Sequence, residues 1–322
     1  MSEYKSIHGA KVQTYSSNPA NPILGQVWFN ATSDTLRVQS QTTAGAWSTG
    51  GDLNTARSYL GGAGATKNAA LAFGGGPPPA PSAKTITESY NGTAWTEVND
   101  MNSKKAFVAG AGTYTSAIAS GGDQYSGVSE SWNGTNWTSI ANEPSGKNAY
   151  GAAGADNTNA LFFGGSPPSS ETRYWNGSSW TALNNINTAR AGIGGAGKTY
   201  TQALAAGGQS GSTRVAIVES FNGTNWTEVN DLNTARSYMG STGTQTSALV
   251  YAGTIPGVTA VTEEWNGSNW TETTNVSTAR EGGASAGANN TDALLSGGSP
   301  DTAATEEWTG AGASVTRTID TD

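Results

Sequence analysis

The chain contains no cysteine and a single histidine, His8. The first absence removes disulfides, thiolate nucleophiles and Cys-type metal sites together, so packing and hydrogen bonds must hold the fold. The second removes the Ser-His-Asp triad and any multi-histidine metal centre. Charge is scarce as well: Asp, Glu, Lys and Arg make up 12% of the 322 residues, against roughly 25% in an ordinary soluble domain. What charge there is sums to −8, which repels nucleic acid from the chain as a whole, so nucleic acid is not an expected partner. No apolar run reaches the length of about 18 residues that marks a membrane-spanning helix. The opening segment from Met1 to Pro22 lacks the apolar core of a signal peptide. Neither membrane insertion nor signal-peptide export is therefore expected.

What is abundant is glycine, with 44 residues, together with Ser, Thr, Asn and 11 Trp. That mixture suits many short strands joined by tight turns. A search for internal repeats finds one pattern returning every 42 to 48 residues, a spacing expected of propeller blades. Each repeat opens on a basic segment: Arg57, then the weaker Lys104-Lys105 and Lys147, then Arg190, Arg236 and Arg280. A short apolar run follows and ends in a small-residue pair: Gly74-Gly75, Gly121-Gly122, Gly164-Gly165, Gly207-Gly208, the variant Ala252-Gly253, and Gly297-Gly298. Next comes an aromatic before a turn: Tyr90, Trp132, Trp175, Phe221 and Trp265 each precede Asn-Gly, while Trp308 precedes Thr-Gly. The last landmark is Trp47, Trp95, Trp137, Trp180, Trp226 and Trp270.

These landmarks predict four short strands per repeat, a to d, with c and d joined as a hairpin, because Asn-Gly readily supplies the positive φ angles of a tight turn. The first of the six Trp residues precedes any complete repeat, and Trp308 has no Trp after it at the usual spacing. Two arrangements fit. In the preferred one, the strand around Trp47 completes the sixth blade and protects an otherwise unpaired edge. In the other, Ala313 to Arg317 supplies that strand and Trp47 belongs to the N-terminal segment.

The order of Arg, Gly-Gly, Glu-x-aromatic and Trp resembles the kelch repeat over about residues 47 to 310. The resemblance implies an all-β, six-bladed kelch-like β-propeller with four-stranded blades over residues 47–322, preceded by an arm over residues 1–46. Departures are the missing Arg in the second and third repeats, Ala252, and Arg173-Tyr174 where Glu is usual. The resemblance carries fold, not activity.

The recurring Trp residues could stack on sugars, but their regular recurrence points to filling the wedge between neighbouring sheets. Likewise Arg57, Arg190, Arg236 and Arg280 could line a central channel as a cationic ring, or bond internally to neighbouring backbone or a carboxylate such as Glu88, Glu130, Glu219, Glu263 or Glu306. Joint recurrence of both charges favours pairing. Differences between repeats concentrate between strands b and c, in loops expected to share one face. Recognition is expected there, with Asp123, Gln124, Tyr125 and Arg214 as candidate contacts. Glycoside hydrolysis would need two carboxylates roughly 5 to 9.5 Å apart, and the recurring Glu positions look too regular for that. No enzymatic activity, cofactor or metal is expected.

The N-terminal segment differs from the repeats. Gly25 to Val38 alternates like a hairpin with a turn at Ser33-Asp34, and Gly45-Ala46-Trp47 follows. This stretch resembles a module of bacteriophage tail-fibre and other virion proteins. The resemblance implies a phage virion protein whose arm docks to other virion proteins while the propeller is displayed. The first expectation is a tail fibre or tail-associated adhesin for a host-surface glycan. The alternative is a capsid decoration or tail-assembly protein that packs through the propeller faces, and a carbohydrate-active enzyme ranks below both.

Overall fold

The computed structural model describes residues 12–20, 25–41, 44–76, 82–122, 126–312 and 314–319. Among them there is no α-helix, and the fold is all-β and propeller-like, built of four-stranded sheets. Contacts divide the chain into two units, Met1–Gly45 with Gly310–Asp322, and Ala46–Thr309.

In the first unit β1 (Gln13–Tyr15) runs parallel to β2 (Val27–Asn30), which forms a hairpin with β3 (Thr35–Gln41). Asn30 Oδ1 accepts the amides of Thr32 and Ser33, each at 3.1 Å, and Asp34 closes the turn at a φ of 53°.

The second unit contains six four-stranded antiparallel sheets among the described residues. Its first strand in the chain, β4 (Ala46–Thr49), belongs to the last sheet. Sheet 1 is β5 (Gly61–Thr66), β6 (Ala69–Phe73), β7 (Thr87–Tyr90) and β8 (Trp95–Val98). Sheet 2 is β9 (Ala109–Thr113), β10 (Ser116–Ser120), β11 (Ser129–Trp132) and β12 (Trp137–Ile140). Sheet 3 is β13 (Gly151–Asp156), β14 (Asn159–Phe163), β15 (Thr172–Trp175) and β16 (Trp180–Leu183). Sheet 4 is β17 (Gly194–Thr199) and β18 (Gln202–Ala206), then a two-stranded excursion, β19 (Gln209–Ser210) and β20 (Thr213–Arg214), then β21 (Val218–Phe221) and β22 (Trp226–Val229). Sheet 5 is β23 (Gly240–Thr244), β24 (Ser247–Tyr251), β25 (Thr262–Trp265) and β26 (Trp270–Thr273). Sheet 6 is β27 (Ala284–Asn289), β28 (Asp292–Ser296), β29 (Thr305–Thr309) and, as its outer strand, β4, with Trp47 opposite Trp308. Of the two arrangements open at the level of sequence, the strand around Trp47 is thus the one hydrogen-bonded to β29.

The segment after Thr309 departs from expectation. It is not a tail on the repeated body: β30 (Ser314–Ile319) pairs antiparallel with β3, from Leu36 opposite Ile319 to Gln41 opposite Ser314. The physical reason is that β3 otherwise presents an unpaired edge, and backbone groups seek partners. The boundary of the N-terminal body therefore includes residues from both ends of the chain.

Burial explains the sheets. The second strand of each carries the core, with Leu71, Ile118, Leu161, Leu204, Leu249 and Leu294 all essentially inaccessible. First strands are made of small residues because they lie side by side, in the order β5, β9, β13, β17, β23, β27, with β27 again beside β5. A Cβ on Gly195 would fall 2.2 Å from the Ala152 carbonyl oxygen, closer than atoms approach. Apolar clusters fill the spaces between successive sheets; one joins Leu53, Leu60, Tyr90 and Trp95 to Ala284 and Leu294.

The seams are also hydrogen-bonded. The second residue of each small pair donates its amide to the carbonyl of the next sheet's basic residue: Gly75 to Lys105 at 2.7 Å, Gly165 to Arg190 at 2.9 Å, Gly253 to Arg280 at 2.8 Å, and Gly298 back to Arg57 at 2.9 Å. Both members of each pair have positive φ, a conformation that glycine adopts freely. Ala252 adopts it too, at 59°.

Candidate functional site

Strand register decides which loops meet. Gly61 pairs with Phe73, Phe73 with Thr87, and Thr87 with Val98. Strand a therefore begins where b ends, c begins and d ends, so the b–c loops and the basic segments lie at one end of the sheets. The a–b and Asn-Gly turns lie at the other. Bridges Asn148–Ser166, Ala191–Gln209, Ser237–Thr254 and Glu281–Ser299 join loops to basic segments.

The four arginines do not form a cationic ring. Their side chains are buried and each meets a carboxylate: Arg57–Glu88 at 2.7 Å, Arg190–Glu219 at 2.7 Å, Arg236–Glu263 at 3.2 Å and Arg280–Glu306 at 3.1 Å. Arg57 Nη1 also donates to the carbonyls of Gly74 at 2.8 Å and Ile86 at 2.9 Å, where strands b and c separate. Glu88 Oε2 in turn accepts the Asn54 amide at 2.7 Å. Burial pushes the Arg57 and Arg190 guanidiniums below the ordinary arginine value, while the paired carboxylates act in the opposite direction. These groups staple the sheet interior. Lys105 occupies the same place in sheet 2 and donates Nζ to the Val128 carbonyl at 2.7 Å.

Sheet 3 satisfies the same position differently. Arg173 stands where the other sheets carry Glu, and Glu143 stands where they carry Leu53, Met101, Ile186, Leu232 and Val276. The Glu143 carboxylate is buried, lies 3.4 Å from Arg173 Nε, and accepts the Tyr150 hydroxyl at 2.6 Å and the Gly146 amide at 2.9 Å. Burial alone would raise its pKa, but hydrogen bonds led by those from Ser145 and Tyr150 hold it below the usual carboxylate value.

Trp95, Trp137, Trp226 and Trp270 are buried between sheets, and Trp47 and Trp180 are half-buried. Of the loop candidates, Asp123, Gln124 and Tyr125 lie outside the described residues. Arg214 is half-buried, in the β19–β20 hairpin opposite Gln209, which bridges Ala191.

A feature missed at the level of sequence lies two residues after each basic residue. Tyr59, Phe107, Ala149, Gly192, Tyr238 and Gly282 all have φ between 52° and 63°. Their backbones form a closed circuit: Phe107 donates to Tyr59 at 2.9 Å, Ala149 to Phe107 at 3.0 Å, Gly192 to Ala149, Tyr238 to Gly192 and Gly282 to Tyr238 at 2.9 Å each, and the Leu60 amide to the Gly282 carbonyl at 3.3 Å. No family model and no curated protein matches this chain. The site must therefore be read from its own geometry.

Three of the six circuit positions carry aromatic rings despite the left-handed backbone, which costs a non-glycine residue roughly 1–2 kcal/mol. Tyr59 and Phe107 stack with centroids 4.0 Å apart, and Tyr238 meets both edge-on at 6.1 Å. The Tyr59 hydroxyl donates to Glu281 Oε1 at 2.7 Å; burial, reinforced by that carboxylate, raises its pKa. Beneath the rings is a cavity of about 100 Å³ bordered by Leu60, Val108, Tyr150, Ile193 and Met239. Further in, the wall is small residues of all six first strands, and Lys198 Nζ donates to the Gly287 carbonyl. The signal for this cluster is that the position two places after each basic residue holds only an aromatic, Gly or Ala, which a search for charged or catalytic groups passes over.

Proposed function

We propose that this chain is a closed, six-bladed kelch-like β-propeller acting without catalysis, carried on a bacteriophage virion as a tail fibre or tail-associated adhesin for a host-surface glycan. The observation that carries this reading is the division of labour between the two ends of the sheets. Buried Arg–Glu pairs, Gly pairs and Trp wedges recur from sheet to sheet, while length and chemistry vary in the b–c loops around the aromatic circuit. A rigid frame with variation gathered at one end suits recognition. The N-terminal hairpin, with its resemblance to a phage virion module, supports attachment to other virion proteins.

A second reading, a capsid decoration or tail-assembly protein, is favoured by exposed apolar residues at both ends of the sheets: Tyr114, 44% accessible in an a–b turn, and Val258, 41% accessible in a b–c loop. The test is antibody labelling of intact particles of the encoding phage, imaged by electron microscopy. Label at the tail is expected and supports the adhesin. Label over the capsid supports decoration, and no label on accessible, antigen-competent particles overturns both.

A further inference from the structure

We propose that Tyr59, Phe107 and Tyr238 form the floor of a carbohydrate subsite that takes the apolar face of a pyranose ring. This rests on the reading of the chain as a glycan-binding scaffold and names where and how the sugar sits.

The first argument is economy of strain. The circuit imposes positive φ at six positions, and Gly192 and Gly282 meet it without a side chain. Aromatic residues at three equivalent positions are disfavoured by the same backbone, and such strain concentrates where a protein binds or switches.

The second is that the rings are not spent on core packing. They are half-buried, and the cavity beneath them is left open rather than filled. Tyr59 and Tyr238 rest instead on places that glycine vacates, and Phe107 stacks on Tyr59. A Cβ on Gly282 would lie 2.6 Å from the Tyr59 ring, and one on Gly192 would lie 3.2 Å from the Tyr238 ring.

The third is the chemistry of the rim. Glu281 accepts the Tyr59 hydroxyl, and Asp301 accepts the Ser58 hydroxyl at 2.5 Å. Carboxylates beside an aromatic floor offer acceptors to sugar hydroxyls while the rings take the C–H face. Aromatic rings beside carboxylates also suit an organic cation, but a cation must sit over ring faces within about 6 Å of each centroid. Tyr59 and Phe107 are stacked 4.0 Å apart at 26°, which leaves no room between them. The Tyr59–Phe107 pair is a closed stack rather than two walls of a cage.

The test is saturation-transfer NMR on the full chain with methyl pyranosides of glucose, galactose, mannose, rhamnose and N-acetylglucosamine. Irradiation of the protein aromatic envelope is expected to label the C–H protons of one sugar face. Phe107→Gly and Tyr238→Gly place at these positions the residue found at 192 and 282, so the backbone is relieved. Each is expected to weaken binding at least about tenfold with an unchanged thermal melt. Should either lose its cooperative melt, Phe107→Asn, which also tolerates the left-handed region, takes its place. Equal binding by wild type and variants overturns the subsite but leaves the scaffold reading standing. Absence of any pyranoside signal from wild type overturns the subsite as well, and particle labelling then decides the scaffold reading separately.

Discussion

Trp137 donates its indole N–H to Thr87 Oγ1 of the neighbouring sheet at 2.9 Å. The same bond joins Trp95 to Thr305 at 3.0 Å, Trp226 to Thr172 at 3.1 Å and Trp47 to Thr262 at 3.2 Å. Each Trp thus fills the wedge between two sheets and tethers its polar atom to the start of strand c across the seam. Two seams differ. Trp180 uses the Ala141 carbonyl at 2.8 Å. Trp270 faces a sheet whose strand c begins with Val218, and its Nε1 is buried without a partner.

That orphan is correctable. Val218→Thr restores the hydroxyl present in four other seams and is expected to stabilise the protein by about 1 kcal/mol, the net worth of a typical hydrogen bond. Trp226→Ala, which removes both wedge and tether, should cost about 3–5 kcal/mol. Urea unfolding midpoints at constant slope measure both; a Trp226→Ala midpoint equal to wild type contradicts the wedge role.

Removing one partner of a buried ion pair leaves the other charge uncompensated. Glu219→Gln should therefore cost about 3–5 kcal/mol, because Arg190 Nη2 loses its 2.7 Å contact while its two carbonyl bonds hold it in place. Substituting the exposed Glu228 instead should change little. Chemical denaturation of the two variants side by side provides the comparison.

Lys105 predicts a pH dependence. Burial pushes its ammonium down from 10.5 to about 8, with Glu130 opposing. Between those values the unfolded chain binds the proton and the folded chain does not, so this residue's contribution to stability rises with pH through that window and is least favourable below it. Lys105→Arg keeps its charge throughout. Wild type should gain stability relative to this variant between about pH 8 and 10.5 in urea melts; a constant difference contradicts the depressed value.

In sheet 3 the charge pair is rearranged, and the rearrangement should be reversible. Glu143→Leu alone leaves the Tyr150 hydroxyl and the Gly146 amide without their acceptor and Arg173 with only its 3.4 Å contact to Glu171, at a cost of about 1–3 kcal/mol. Adding Arg173→Glu and Lys147→Arg recreates the arrangement of the other sheets and should recover most of that loss. Thermal melts of the single and triple variants test this, and failure of the triple to recover contradicts the equivalence of the positions.

Much of the fold is legible in the repeat because its determinants are local. Asn91-Gly92 shapes the turn between β7 and β8 through bonds from the amides of Thr93 and Ala94 to Asn91 Oδ1. A Trp at the first or second residue of each strand d and a small pair after each strand b are likewise visible within one repeat. Counting landmarks left two places for the strand around Trp47, and its pairing with β29 decided between them. The exchange of Glu143 and Arg173 was harder to see, because each looks like a simple departure until the two are found 3.4 Å apart. The pairing of β3 with β30 was hidden by separation: Gln39 lies opposite Thr316, and nothing in either segment names the other.

The sequence by itself determined the strand pattern, the hairpin turns and the identity of the residues that seal each seam, since these depend on neighbours within one repeat or on the same position in the next. Only the tertiary structure decided that Tyr59, Phe107 and Tyr238 share one place. They come from three different repeats, and their rings meet because the first strands pack side by side and the backbone circuit draws the residues before them together. Periodicity sets what each repeat contributes, but convergence depends on how the sheets pack.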